Sequence, residues 1–142
     1  MIPIKTDDEI AGMRAAGKIT AEVLDIACRA VRAGVSTLDV DQLIARELAV
    51  RGAKSASFGY APGSQRPFPA QACISINDEV VHGIPSPTRF IGDGDVVSID
   101  LVVAYEGFMG DSTRTVIVGE VSPRVAQLVH ETEVALYQGI AQ

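Results

Sequence analysis

The amino-acid sequence predicts an α+β fold in which an antiparallel sheet carries helices packed on one face. Two segments near the N-terminus have apolar residues at helical spacing, and a third such segment lies at the other end of the chain. Between them, short runs of strand-forming residues are separated by turn residues. The chain has 142 residues, of which 47% are hydrophobic, so it is about one domain long and can bury a core.

The two N-terminal helices are marked by end signals as well as by periodicity. The first is predicted over residues 6–34, because Thr6 and Glu9 have the spacing of a capping box and Gly34 suits the C-terminal cap. The second is predicted over residues 38–51.

The rest of the chain divides into a loop, three strands and a third helix. Residues 58–71 are predicted to form a loop, because they include three prolines, two glycines and three aromatic residues. A short strand is expected over 72–76, and two further strands over 94–119 with their turn near 105–107. The first of these two is apolar on both faces, which predicts burial on both sides. The third helix is expected to start at residues 122–123, with proline at its first position.

Charge and composition narrow the classes of partner. The formal net charge is −6 and no basic run occurs, which argues against nucleic acid or an anionic membrane as the main ligand. The N-terminus lacks the pattern of a secretory signal, and no window is long and apolar enough for a membrane span. Cys28 and Cys73 form no C-x-x-C pair, so two free thiols in a reducing cytoplasm are expected.

Two aspartates lie on the predicted hairpin. If the turn is centred between Tyr105 and Glu106, Asp100 and Asp111 face each other directly, with Cβ atoms about 4.5–5.5 Å apart, whereas a slip of one residue would place them on opposite faces. Like charges opposite each other destabilise a sheet and need compensation. Either a salt bridge from Arg114 or a divalent cation that bridges both carboxylates would compensate, and spacing alone leaves both open.

His82 follows two valines and precedes the Gly-Ile-Pro of residues 83–85. By composition alone, a histidine in such apolar surroundings is more often a core residue than a catalyst. Its role therefore depends on the other residues that accompany it.

A pattern of three residues extends over two segments, INDEVVHGIP and GDVVSIDLVVAYEGFMGDSTRT. It consists of His82 in H-G-I-P, Asp100 in an I-D strand and Asp111 eleven residues later in G-D-S. In order, spacing and flanking residues, this pattern resembles the type I methionine aminopeptidases, which have the pita-bread metallopeptidase fold. The resemblance runs from the first helix to the end of the chain. It implies that residues 1–142 are the N-terminal half of such a catalytic domain.

The resemblance implies a cytoplasmic hydrolase that removes the initiator methionine from nascent polypeptides, which would bring it near the ribosome. Two divalent metal ions, of Mn, Fe, Co or Zn, are implied as cofactors. Asp100 and Asp111 would be metal ligands. His82 would contact the substrate peptide and support the tetrahedral intermediate, so the resemblance favours a catalytic role over a core role.

The pocket for the methionine side chain is also implied by resemblance. The matching positions are Ser57, Tyr60, Phe68 and Cys73, although the segment between Tyr60 and Phe68 is longer than in the usual pattern. Aromatic and sulfur groups suit a thioether. The alternative is that these residues simply pack on the core.

The family's other metal ligands, one histidine and two glutamates, belong to a second half that has no counterpart in these residues. His130 does not match the ligand motif and is expected at the surface or at an interface. Three alternatives remain open: a complementary second half completes the site, a homodimer brings four aspartates together, or the half-domain is a non-catalytic binding module. A proline-specific peptidase is the alternative enzyme, although those relatives usually carry a separate N-terminal domain.

Overall fold

The computed structural model describes residues 2–63 and 66–142. Its helices and strands are α1 (Asp7–Ala30), α2 (Thr37–Val50), β1 (Lys54–Ser55), β2 (Cys73–Ile76), β3 (Val96–Tyr105), β4 (Phe108–Ile117) and α3 (Pro123–Ile140). The predicted α+β class is confirmed, as are the three helices, the strand before Asn77 and the hairpin. The two-residue strand β1 was not predicted.

The start of α1 follows its local signal, whereas its end does not. The Thr6 side chain and the Glu9 side chain form the predicted capping box. However, α1 ends at Ala30, four residues before Gly34. The reason is tertiary: the Gly34 N–H donates to the Ile91 carbonyl at 2.8 Å, and the Ile91 N–H donates to the Val35 carbonyl at 2.9 Å. This pairing draws the chain out of the helix.

The sheet is built around β3. This strand pairs with β4 along its whole length, and β1 and β2 also pair with it, all in antiparallel orientation. Its buried side chains, all 0% exposed, are Val97, Ile99, Leu101 and Val103. They share one apolar cluster with residues of both N-terminal helices, including Val23, Leu24, Ile44 and Leu48. The core therefore lies between one face of the sheet and the α1–α2 pair.

The opposite face of β3, called here the open face, remains accessible. Its residues are only half-buried: Val96, Ser98, Asp100, Val102 and Ala104. The prediction that this strand is buried on both faces is wrong for the described chain, because both N-terminal helices pack on the same side. Helix α3 buries none of its residues, and its apolar Leu128, Leu136 and Ile140 are exposed. No helix among the described residues is long and apolar enough to cross a membrane.

Candidate active site

The β3–β4 turn sets the position of both aspartates. Tyr105 pairs with Phe108, so the turn consists of Glu106 and Gly107 alone. Their φ angles are 48° and 85°, and positive φ at both central residues is the signature of a type I′ hairpin turn. The turn therefore lies one residue later than the centre assumed from sequence.

In this register the two carboxylates lie farther apart than predicted, but both remain on the same face of the sheet. Asp100 lies opposite Thr113, and Asp111 lies opposite Val102. The prediction that the aspartates oppose each other directly is wrong by two positions. Because side chains alternate with a period of two, both still lie on the open face, as diagonal neighbours whose Cα atoms are typically about 7–8 Å apart.

The salt bridge considered for Arg114 is also not formed. Arg114 lies opposite Ile99, on the helix-covered face, and its Nη1 contacts Oδ1 of Asp25 in α1 at 3.1 Å. In residues 2–63 and 66–142, no side chain forms an ion pair with Asp100 or Asp111. The open face thus carries two like charges that the described chain does not compensate.

Carboxylate oxygens are suitable ligands for hard and borderline divalent cations. Asp111 is exposed and Asp100 is half-buried, so both are accessible from the open face. Nevertheless, the described part of the chain gathers no group of three His, Cys, Asp or Glu side chains that could hold a metal ion. The two aspartates fit a divalent cation as ligands, but they supply only part of a coordination shell.

Strand β2 connects Asp100 to His82. Cys73 of β2 lies opposite Asp100 in the sheet, so both side chains are on the open face. The backbone N–H of His82 lies near enough to the Cys73 thiol to influence its pKa. Burial raises the pKa of this thiol, and the nearby Asp100 charge adds to the rise, while the His82 N–H opposes it. Cys73 is therefore a neutral thiol between the aspartate and the histidine.

His82 occupies an unusual backbone conformation. Its φ is 59°, in the left-handed region that residues other than glycine rarely adopt, and its side chain is exposed. The next residue, Gly83, docks on β2: its carbonyl accepts from the Ile74 N–H at 2.9 Å, and its N–H donates to the Ser75 hydroxyl at 3.1 Å. Strained residues of this kind cluster at functional sites.

The loop before β2 brings two of the predicted pocket residues together. The Gly59 N–H donates to the Phe68 carbonyl, and the Phe68 N–H donates to the Tyr60 carbonyl, both at 2.9 Å. Tyr60 is exposed and Phe68 is half-buried. Residues 64–65, within the segment that is longer than the usual pattern, lie outside the described residues.

Ser57 lies at the base of this loop, where hydrogen bonds to polar side chains hold both ends. The Ser55 hydroxyl donates to the Gln71 carbonyl at 2.6 Å and accepts from the Ser57 N–H at 3.1 Å. From α2, the buried Asp41 accepts the N–H groups of Gln71 and Ala72 at 2.8 and 3.0 Å. Burial raises the pKa of Asp41, and the two N–H groups offset part of that rise.

Sequence reasoning missed Asp41, Ser55 and Ser75. Their contacts join residues from different elements, and the one available signal was that Ser75 alternates with Cys73 onto the open face. His130 is exposed on α3, as predicted.

Comparison with known proteins identifies the family of the chain. The sequence profile of metallopeptidase family M24 matches residues 11–142. The chain belongs to metallopeptidase family M24. The methionine aminopeptidase of Aquifex aeolicus is 47% identical over 140 residues, which cover 98% of this chain and 54% of the relative. That of Clostridium acetobutylicum is 40% identical over 140 residues, with 99% and 54% covered.

Solved structures support the same assignment. Methionine aminopeptidase from Rickettsia prowazekii superposes with a TM-score of 0.90 at 36% identity, covering 99% of this M24 chain and 54% of that one. The Xaa-Pro dipeptidase from Bacillus anthracis gives a TM-score of 0.69 at 25% identity, covering 87% of this chain and 32% of that one. The predicted resemblance and the predicted half of a pita-bread fold are thus confirmed. The chain spans about half the length of the curated relatives it matches.

Proposed function

We propose that residues 1–142 form the N-terminal half of the catalytic domain of a metal-dependent methionine aminopeptidase, which removes the initiator methionine from nascent polypeptides in the cytoplasm. The observation that carries this proposal is the uncompensated Asp100–Asp111 pair on the open face, beside strand β2, which hydrogen-bonds the residue after His82. The TM-scores of 0.90 for a methionine aminopeptidase and 0.69 for an Xaa-Pro dipeptidase favour it over a proline-specific peptidase.

Asp100 and Asp111 are the residues that would hold divalent metal, with two ions drawn from Mn, Fe, Co or Zn. When bound, such ions supply a Lewis acid for the scissile carbonyl. Two carboxylates leave the coordination shell incomplete, so the remaining ligands would come from a complementary second half or from a second copy of the chain.

The other site residues act on the peptide itself. The exposed imidazole of His82 is available to donate a hydrogen bond to the substrate and to the oxygen that becomes negative in the tetrahedral intermediate. Tyr60, Phe68 and Cys73 supply aromatic and sulfur surface for a thioether side chain, with Ser57 at the base of the same loop. The proposed substrate is the N-terminal methionine of a nascent chain, and such a substrate would bring the protein near the ribosome.

Hydrolysis of the tripeptide Met-Ala-Ser by the purified chain, with Mn²⁺ or Co²⁺ added, tests this proposal. Asp111→Asn, prepared identically, reveals any aminopeptidase from the expression host. Asp8→Asn, in the exposed first turn of α1, is the matched control for loss of one negative charge. If a second copy supplies the remaining ligands, we expect activity in the wild type and in Asp8→Asn that is lost in Asp111→Asn. Equal background activity in all three preparations contradicts completion by a second copy and leaves a complementary second half as the source of the ligands.

A non-catalytic binding module is the second candidate, and the absence of a three-ligand group among the described residues favours it. Sedimentation with and without Mn²⁺ separates the possibilities. A metal-dependent dimer that Asp111→Asn abolishes supports completion of the site by a second copy. A monomer that binds no metal and hydrolyses no peptide contradicts completion by a second copy, and it is expected both of the binding module and of a half-domain without its complementary second half. Cleavage of an Ala-Pro peptide in preference to Met-Ala-Ser would instead support the proline-specific alternative.

A further inference from the structure

We infer that Ser75 is a positioning residue that holds His82 in its left-handed backbone conformation next to strand β2. Ser75 is only 5% exposed, and its hydroxyl accepts the N–H of Gly83 at 3.1 Å. A buried hydroxyl needs a partner, and this one bonds the residue directly after the histidine.

Two consecutive residues of β2 hydrogen-bond Gly83, the residue that follows His82. The Ile74 N–H donates to the Gly83 carbonyl, and the Ser75 hydroxyl accepts from the Gly83 N–H. The same residues of β2 pair with β3, where Cys73 lies opposite Asp100. The backbone of His82 is thereby fixed relative to the strand that carries the aspartate.

This contact is close enough to restrict the residue at position 83. A Cβ atom on Gly83 would lie 2.2 Å from the Ile74 carbonyl oxygen, nearer than real Cβ atoms approach backbone. The His82 φ of 59° is disfavoured in an unrestrained chain, so neighbouring contacts must maintain it. Ser75 supplies the one side-chain hydroxyl among these contacts.

Ser98 is a serine on the same sheet face that does not bond the residue after His82. It is the partner of Ser75 in the β2–β3 register and lies on the same open face. Its hydroxyl instead forms a hydrogen bond with the Thr115 hydroxyl at 2.9 Å, away from His82 and Gly83. Two serines that share residue type, strand pairing and face therefore differ in the group they hold, and Ser98→Ala is a matched control.

Amide hydrogen exchange and NMR shifts of the 142-residue chain test the inference. We expect Ser75→Ala to accelerate exchange of the Gly83 N–H on the order of tenfold and to shift the backbone and imidazole resonances of His82. Ser75→Thr, which keeps the hydroxyl, should restore both, and Ser98→Ala should change neither. Unchanged Gly83 exchange in folded Ser75→Ala overturns the inference, as does an equal effect of Ser98→Ala. Wild-type exchange of Gly83 as fast as that of an exposed amide overturns it without any variant.

The role of Ser75 in catalysis rests on the proposed function, but these measurements require no peptide hydrolysis. A chain that is inactive on Met-Ala-Ser but loses Gly83 protection in Ser75→Ala contradicts hydrolysis by the 142-residue chain and supports the positioning role. A chain that is active and keeps that protection in Ser75→Ala contradicts the positioning role alone.

Discussion

The two faces of β3 differ in the residues that they carry and in whether helices cover them. On the helix-covered face, Ile99 and Leu101 are 0% exposed and lie in the apolar cluster with α1 and α2. On the open face, Asp100 lies between half-buried Ser98 and Val102. The same ten-residue strand therefore stabilises the fold with one set of side chains and presents candidate site residues with the other.

The comparison extends to the neighbouring strands. Gly110 and Arg114 of β4 lie opposite the buried Val103 and Ile99, and both contact or approach α1. In contrast, Cys73 and Asp111 lie on the open face. Substitutions on the helix-covered face should therefore cost folding free energy, whereas substitutions of accessible open-face residues such as Asp111 should change chemistry at little cost.

The largest difference is expected between Ile99→Ala and Val102→Ala. Loss of a fully buried isoleucine leaves a cavity and should lower the free energy of unfolding by about 2–5 kcal/mol. Val102 is half-buried, and its truncation should cost less than about 1 kcal/mol. Urea unfolding of both variants measures this difference. Equal losses would mean that the open face contributes to the stability of this chain as much as the core does.

The next effect is expected at Gly110, where β4 approaches α1. A Cβ atom there would lie 2.3 Å from Oγ1 of Thr20 and 2.8 Å from the carbonyl carbon of Ala16. Gly110→Ala should therefore overpack the core and lower the free energy of unfolding by about 1–3 kcal/mol. Gly17→Ala is the control, because nothing lies within 4 Å of its added Cβ. In a helix interior that change should stabilise by about 0.5–1 kcal/mol.

Asp41, on α2, predicts a pH dependence of opposite sign to that of its neighbour Asp39. The raised pKa of Asp41 means that its contribution to stability is full below pH 3.8 and is lost as pH rises through the folded-state pKa. The wild type should thus lose stability relative to Asp41→Asn across that window, by about 1.4 kcal/mol for each pH unit between the two pKa values.

Asp39 supplies the control for this prediction. Hydrogen bonds from Ser36 lower the pKa of Asp39, so its contribution is present above pH 3.8 and is lost as pH falls through the folded-state pKa. Unfolding free energies of the wild type, Asp41→Asn and Asp39→Asn on both sides of that pH should show trends in opposite directions. Parallel trends would contradict the assignment for Asp41.

The sequence correctly predicted the features that depend only on contacts between residues close together in the chain. The Thr6–Glu9 capping box and the Ser122–Pro123 helix start are formed as predicted, because each needs only residues within one turn. The end of α1 was not predictable in this way, since the bond from Gly34 to Ile91 joins residues far apart in sequence.

The candidate site likewise has features that the sequence predicted and features that it did not. The identities of His82, Asp100 and Asp111 came from a motif, which sequence carries directly. The relative position of the aspartates depended on whether the turn includes Glu106 and Gly107, and a shift of one residue in the turn centre moves the pairing by two. The partner of Arg114 is 89 residues away, so spacing alone could not exclude a salt bridge that the fold does not form.

The smallest effect, and the most informative about the open face, is expected for Asp111→Asn. Without metal, removal of one of two uncompensated like charges should raise the free energy of unfolding slightly, by about 0.2–1 kcal/mol. Asp25→Asn, on the helix-covered side, should instead lower it by up to about 1 kcal/mol, because Asp25 pairs with Arg114 and Arg29. Thermal unfolding in EDTA measures both signs.

Added Mn²⁺ should stabilise only the chains that keep both open-face aspartates. A cation that binds the folded chain raises its melting temperature by mass action, so the wild type and Asp25→Asn should both gain stability, whereas Asp111→Asn should not. If Mn²⁺ stabilises all three equally, the ion binds elsewhere. If it stabilises none, two carboxylates on one sheet face do not suffice to bind it, and the remaining ligands must be supplied before the open face becomes a metal site.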